Sequence, residues 1–186
     1  KIAEAVAAYP QALEDLPSPR FAVLIGGKSK RQDISAKRAR AISDSLTQVQ
    51  RATGGTLMVT LSRRTSDAAR LQFQTYLAPH CALFYEGEGV NPYFAMLGAA
   101  DHVFVTEDSV NMAAEAASTG KPVYILPLRR KPFAHARKFD AFHEGLRARN
   151  AARLFRGAIE SWSYEPLDET GRAADAVLSR WKARDR

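Results

Sequence analysis

At 186 residues, with 46% hydrophobic and 25% charged residues, the chain has an ordinary globular composition and enough length to bury one self-sufficient core. No apolar run approaches the ~20 residues of a membrane-spanning helix, no signal peptide opens the chain, and the single cysteine, Cys81, excludes an intramolecular disulfide or a cysteine-built zinc site. The 27 Lys and Arg against 20 Asp and Glu leave a net charge of +7, a balance that attracts nucleic acid, acidic membrane or phosphorylated small molecules.

The chain begins at Lys1 rather than Met, as expected of a domain from a longer protein. Residues 1–20 read as an interdomain segment or linker, because Tyr9-Pro10 interrupts any helix and Leu16-Pro17-Ser18-Pro19 excludes another. The domain proper is expected over 21–186. Phe21–Ile25 is a short continuous apolar run closed by Gly26-Gly27, the pattern of a strand buried on both faces. Ser35 or Asp33 caps a helix carrying Ala39, Ile42, Leu46 and Val49, and Gly54-Gly55 ends it. Thr56–Leu61 is a second strand. Ser66-Asp67 opens a helix with Ala69, Phe73 and Leu77 on one face, and Cys81–Tyr85 is a third strand.

Asn91-Pro92 opens a third helix, with proline at its favoured first position. His102–Thr106 is a fourth strand. Asp108 or Ser109 caps a small-residue helix to about Thr119, Gly120 stops it, and Pro122–Leu126 is a fifth strand. A helix from about His135 to Arg149 presents Phe139, Phe142 and Leu146 inward, with His143 packed beside them. Ala174, Val177, Leu178 and Trp181 mark a last amphipathic helix. Arg147, Arg149, Arg153 and Arg156 read as a solvated face or a surface for another domain. Repeated β-α units predict an α/β fold, a three-layer Rossmann-like parallel sheet with right-handed crossovers.

In such a sheet the loops after the strands converge on one edge, where ligands bind. Those loops hold Gly26, Gly27, Lys28, Ser29, Lys30 and Arg31; then Ser62, Arg63, Arg64 and Thr65; then Glu86 to Asn91; then Glu107, Asp108 and Ser109; and finally Arg129, Arg130 and Lys131. Both signs of charge on one rim suit a nucleotide with a diphosphate and a sugar: cations and loop amides take phosphate oxygens, and carboxylates take sugar hydroxyls. A P-loop is excluded because Ala22 stands where its first glycine belongs, and Gly87-Glu88-Gly89 is no dinucleotide fingerprint because Pro92 replaces the third glycine. Glu86, Glu88, Glu107 and Asp108 are the carboxylates that would gather Mg²⁺, but no metal is expected. Glu115, two turns into an otherwise apolar helix, needs a partner, a ligand or solvent.

The segment Ser109-Val-Asn-Met-Ala-Ala-Glu-Ala-Ala-Ser-Thr-Gly-Lys-Pro-Val123 resembles the donor-site helix of GT-B glycosyltransferases. With Ala22-Val-Leu-Ile-Gly-Gly27, Val59-Thr-Leu-Ser-Arg-Arg-Thr65, Gly89-Val-Asn-Pro-Tyr-Phe94 and Trp162-Ser-Tyr-Glu-Pro-Leu167, the chain resembles the ELM-like mitochondrial-fission family of bacterial and plant proteins, long a domain of unknown function. The resemblance implies the C-terminal half of a two-domain GT-B architecture, with an N-terminal Rossmann-like half outside this chain that would supply the general base. It implies a nucleoside diphosphate or nucleotide-sugar substrate and no cofactor. The site would comprise Gly26, Gly27, Lys28, Ser62, Arg63, Arg64, Asn91, Asp108, Ser109 and Glu115, with Glu115 at the ribose position; catalytic residues stay unassigned. Asn111 and Ala113-Ala114 depart from the family pattern, which has Ser and Val-Ser there. Glycosyl transfer without metal is the possible activity. The alternative is a non-catalytic adaptor of the mitochondrial-fission type with protein partners, and third is a basic nucleic-acid-binding domain, for which no motif is evident. The expected location is the cytoplasm of a bacterium, or the mitochondrial surface in a plant relative.

Overall fold

The computed structural model describes residues 13, 15–29, 32–128, 137–168, 171 and 177–181. Six strands form one sheet: β1 (Arg20–Ile25), β2 (Thr56–Leu61), β3 (Cys81–Tyr85), β4 (His102–Thr106), β5 (Val123–Leu126) and β6 (Ala152–Leu154). The spatial order is β3-β2-β1-β4-β5-β6, and every pairing is parallel. Chain direction across the sheet therefore reverses between β1 and β4, the topological switch point of a doubly wound fold.

The helices are α1 (Ala36–Thr53), α2 (Asp67–Tyr76), α3 (Tyr93–Ala99), α4 (Val110–Ala117) and α5 (Arg137–Ala148), with one 3-10 turn at Ala78–His80. α1 and α2 lie on one face, where Ala39, Ile42, Leu46 and Phe73 meet Phe21, Val23, Leu57 and Phe104. The other face carries α3, α4 and α5, where Met96, Ala113, Ala116 and Leu146 meet Ala22, Leu24, Val103 and Val105. Alternate residues of one strand thus feed two cores, and β2, β4 and β5 are buried along their whole length. Ser35 caps α1 by accepting from the Arg38 N–H, and Gly54 closes it in the left-handed conformation at φ 69°.

Several expectations need correction. Among the described residues there are six strands rather than five. β6 is three residues long with Arg153 at its centre, so no apolar run announces it. The Arg153 guanidinium lies 4.3 Å over the Trp162 ring and pairs with Glu160. Pro92 is the cap of α3 rather than its first residue. Within the expected linker, and without bearing on that reading, the Thr56 hydroxyl donates to the Pro17 carbonyl at 2.8 Å and the Ser18 hydroxyl to Asp101 at 3.1 Å. Residues 177–181 are helical, but Val177, Leu178 and Trp181 are exposed. Lys30, Arg31, Arg129, Arg130, Lys131, His135 and Ala174 lie outside the described residues.

Candidate functional site

The C-terminal ends of β1, β2 and β3 open onto a cleft of about 400 Å³. Ile25 and Leu61 form apolar parts of its wall, Ser62 and Arg63 come from the turn after β2, Tyr85 and Gly87 from the end of β3, Asn91 and Tyr93 from the entry of α3, and Met112 from the first turn of α4. Three predicted residues, Ser62, Arg63 and Asn91, therefore line one space although they lie far apart in the chain. Asn91 also shapes the entry, accepting the Tyr93 N–H on its side-chain oxygen at 3.0 Å.

Glu115 reaches the cleft wall indirectly. Its carboxylate accepts the Tyr93 hydroxyl at 2.5 Å, bridging α4 to α3. The partner that a half-buried carboxylate requires is thus a phenol rather than a cation. Burial and the neighbouring carboxylate both push Tyr93 upward, so it stays a donor throughout the ordinary pH range.

The glycine turn after β1 sits beside the cleft and is closed by the protein's own groups. The Gly26 N–H donates to the Thr106 hydroxyl at 2.7 Å, the Gly27 N–H to Asp108 Oδ2 at 2.8 Å and the Lys28 N–H to the Arg64 carbonyl at 2.9 Å. A Cβ on Gly26 would stand 2.2 Å from Asp108 Oδ2, and one on Gly27 would stand 2.1 Å from the Arg64 carbonyl carbon. The glycines are needed for these contacts, and the amides expected to meet a phosphate are engaged. Asp108 occupies the anion position on Gly27. Its carboxyl lies above the usual carboxylate range because burial outweighs the hydrogen bonds from Thr106 and Gly27. Ser109 caps α4, accepting the Met112 N–H at 3.4 Å. The side chains of Lys28 and Arg64 are exposed on the same edge but do not line the cleft.

Three unpartnered buried atoms stand around the β4 turn, on Arg38, which sequence reasoning missed, and on Asp108 and His143, which it named. Arg38 Nε, Asp108 Oδ1 and His143 Nδ1 are buried without a partner among the described residues. His143 Nε2 lies 3.0 Å from the Glu107 carbonyl and therefore carries the ring proton, and its ring meets Phe142 edge-on, as its packed reading anticipates. Burial lowers the Arg38 guanidinium, while the Glu107 charge acts the other way. Arg38 is half-buried at the start of α1, and no spacing rule singles it out.

Other candidates resolve into structural roles. Glu86 is engaged by Arg70 at 3.1 Å and Gln74 at 2.9 Å, and no group of three His, Cys, Asp or Glu among the described residues is placed to hold a metal ion. Cys81 donates to the Leu77 carbonyl at 3.2 Å, and burial pushes its thiol up to about 12. Trp162 donates its indole N–H to the Asn150 carbonyl and packs on Tyr124, and the Tyr164 hydroxyl donates to the Lys121 carbonyl. No described helix is long and apolar enough to cross a membrane.

The fold and its edge define a doubly wound α/β protein with a polar cleft beside its switch point. The chain belongs to the Mitochondrial fission ELM1 family, whose sequence model matches residues 1–181. It is 34% identical over 185 residues to the Mitochondrial fission protein ELM1 of Arabidopsis thaliana, covering 97% of this chain and 42% of that protein. It is 30% identical over 162 residues to the uncharacterized protein RP120 of Rickettsia prowazekii, covering 84% of this chain and 45% of that protein. The chain thus spans less than half the length of these relatives. A solved structure of a Thermotoga maritima phospho-2-dehydro-3-deoxyheptonate aldolase aligns with 87% of this chain and 50% of its own at 14% identity and a TM-score of 0.29, too loose a likeness to inform fold or function.

Proposed function

We propose that the cleft binds a nucleoside diphosphate or nucleotide-sugar, as the donor-side half of a two-domain GT-B glycosyltransferase-like protein. The observation that carries this reading is the meeting of Ser62, Arg63, Asn91 and the Tyr93–Glu115 pair around one space at the strand ends. Arg63 is exposed at the rim and can meet a phosphate directly. With the turn amides engaged, the diphosphate meets the side chain of Arg63 rather than the backbone, and Arg64 and Lys28 add positive charge on the same edge without lining the cleft. A ribose hydroxyl would take the Glu115 oxygens in place of Tyr93.

Calorimetric titration of UDP, GDP and their sugars into a protein that also carries the preceding half tests this. Saturable binding is expected, and Arg63→Ala should weaken nucleoside diphosphate and pyrophosphate alike. Glu115→Ala should weaken the nucleoside diphosphate more than pyrophosphate. Absence of saturable binding to every nucleotide overturns the reading.

The closed β1 turn favours a second reading, a non-catalytic adaptor that keeps the fold and recruits protein partners, in keeping with the name of the plant relative. It predicts unchanged partner recruitment when Arg63 and Glu115 are replaced.

A further inference from the structure

The outer surface of the α1–α2 layer carries a second cleft of about 400 Å³, which shares no lining residue with the one at the strand ends. One stripe of α1 forms one wall, with Arg40, Asp44, Thr47 and Arg51 at helical spacing, and Tyr76 and His80 stand opposite.

Hydroxyls on the helices of this protein fold back onto the carbonyl four residues earlier: Ser43 onto Ala39 at 2.9 Å, Ser45 onto Ala41 at 2.8 Å, Thr53 onto Val49 at 2.8 Å and Thr75 onto Leu71 at 2.7 Å. Thr47 does not. It is only 7% exposed, and its Oγ1 has no partner among the described residues. A buried hydroxyl left unpaired is unfavourable, and a hydrogen-bonding group seated in the cleft would relieve it.

The charge around Thr47 is positive. The Arg40 guanidinium lies 3.5 Å over the Tyr76 ring and bonds both oxygens of Asp44, at 2.9 and 3.0 Å, so the cleft's carboxylate is already engaged. Arg51 has no ion-pair partner among the described residues. The backbone of His80 is tied to α1, because Gln50 Nε2 donates to its carbonyl at 2.7 Å. The cleft therefore offers an uncommitted guanidinium and an imidazole, and the unpaired Thr47 hydroxyl lies buried in its wall.

We infer that this cleft is a binding site for a phosphate monoester, whose oxygens accept from Arg51 and the Thr47 hydroxyl while the rest of the molecule lies along Tyr76. Phosphate alone would fill a small part of the volume, which suits a small sugar or glycerol phosphate or the headgroup of phosphatidic acid.

Glycerol 1-phosphate titrated into the full chain at low salt, followed by calorimetry, tests the site, and sedimentation with phosphatidic acid or phosphatidylcholine vesicles separates the two sources. Saturable binding is expected, weakened roughly tenfold by Thr47→Val and at least as much by Arg51→Ala. Thr47→Val should leave the melting temperature unchanged or raised, because it removes an unpaired hydroxyl. Retention on phosphatidic acid vesicles that depends on Arg51 assigns the headgroup; binding of the soluble ester without retention assigns a free metabolite. The proposal is overturned if the unaltered protein does not saturate, or if Thr47→Val lowers the melting temperature and leaves binding intact.

Discussion

Replacing Gly27 by alanine tests whether the β1 turn is a packed joint between strands rather than an open phosphate cradle. The added Cβ would lie 2.1 Å from the Arg64 carbonyl carbon, 2.2 Å from its oxygen and 2.4 Å from the Thr65 nitrogen. All three atoms are backbone, so no side-chain rotation relieves the overlap. The turns after β1 and β2 must separate, which strains the Lys28–Arg64 bond of 2.9 Å and the Thr65–Gly26 bond of 2.6 Å. Overpacking costs about 1–3 kcal/mol and each lost hydrogen bond about 1 kcal/mol, giving a total of roughly 3–5 kcal/mol. For a domain of this size that corresponds to a fall in melting temperature of about 10 °C. Gly26→Ala makes the contrast. The three atoms nearest its Cβ all belong to the Asp108 carboxylate, a side chain rather than backbone, so the loss should be smaller. Thermal unfolding followed by circular dichroism measures both. A Gly27→Ala protein that melts within about 2 °C of the unaltered one, or a larger loss from Gly26→Ala, refutes the reasoning.

Burial raises the Asp108 carboxyl, so the folded state holds its proton more tightly than the unfolded chain does. That stabilisation is present below the unfolded value and is lost as pH rises through the raised one. Asp108→Asn stays neutral and can still accept from Gly27; it should match or exceed the unaltered protein in urea midpoint at pH 7, with the difference shrinking at pH 4. Tyr93→Phe removes the bond to Glu115 but keeps the ring against Phe94, and should lower stability by about 1–2 kcal/mol in urea unfolding. Burial between Phe21 and Tyr124 lowers the His102 imidazole, so folding favours its neutral form. Stability should therefore fall as pH drops through the unfolded histidine range near ~6.5, an effect that His102→Gln should reduce in urea midpoints measured at pH 7 and pH 5.5.

The sheet was legible where burial on both faces leaves an unbroken apolar run. Phe21–Ile25 declares itself in that way, and Thr56–Leu61 and His102–Thr106 do so through shorter apolar stretches flanked by polar residues. β6 was not, because an edge strand of three residues needs no such run and tolerates Arg153. Helix caps at Ser35 and Ser109 were readable from local chemistry, since a capping hydroxyl acts within three residues. The Tyr93–Glu115 contact was not, because it joins two helices across 22 residues and depends on how α3 and α4 pack. Gly26-Gly27 was recognisable as a place of close approach, but composition does not say what approaches. Only the fold reveals that Asp108 and the Arg64 backbone fill that space.

The two borders of the sheet are unlike one another. β6 carries Arg153 in its middle, and a charge there discourages another strand from adding alongside. β3 runs Cys81-Ala-Leu-Phe-Tyr85 with no charge, and Ala82 is exposed. Among the described residues only β2 pairs with it. Self-association on partial unfolding is therefore directional, starting at the β3 margin, and a lysine introduced at position 82 is the single change best placed to keep the protein monodisperse during handling.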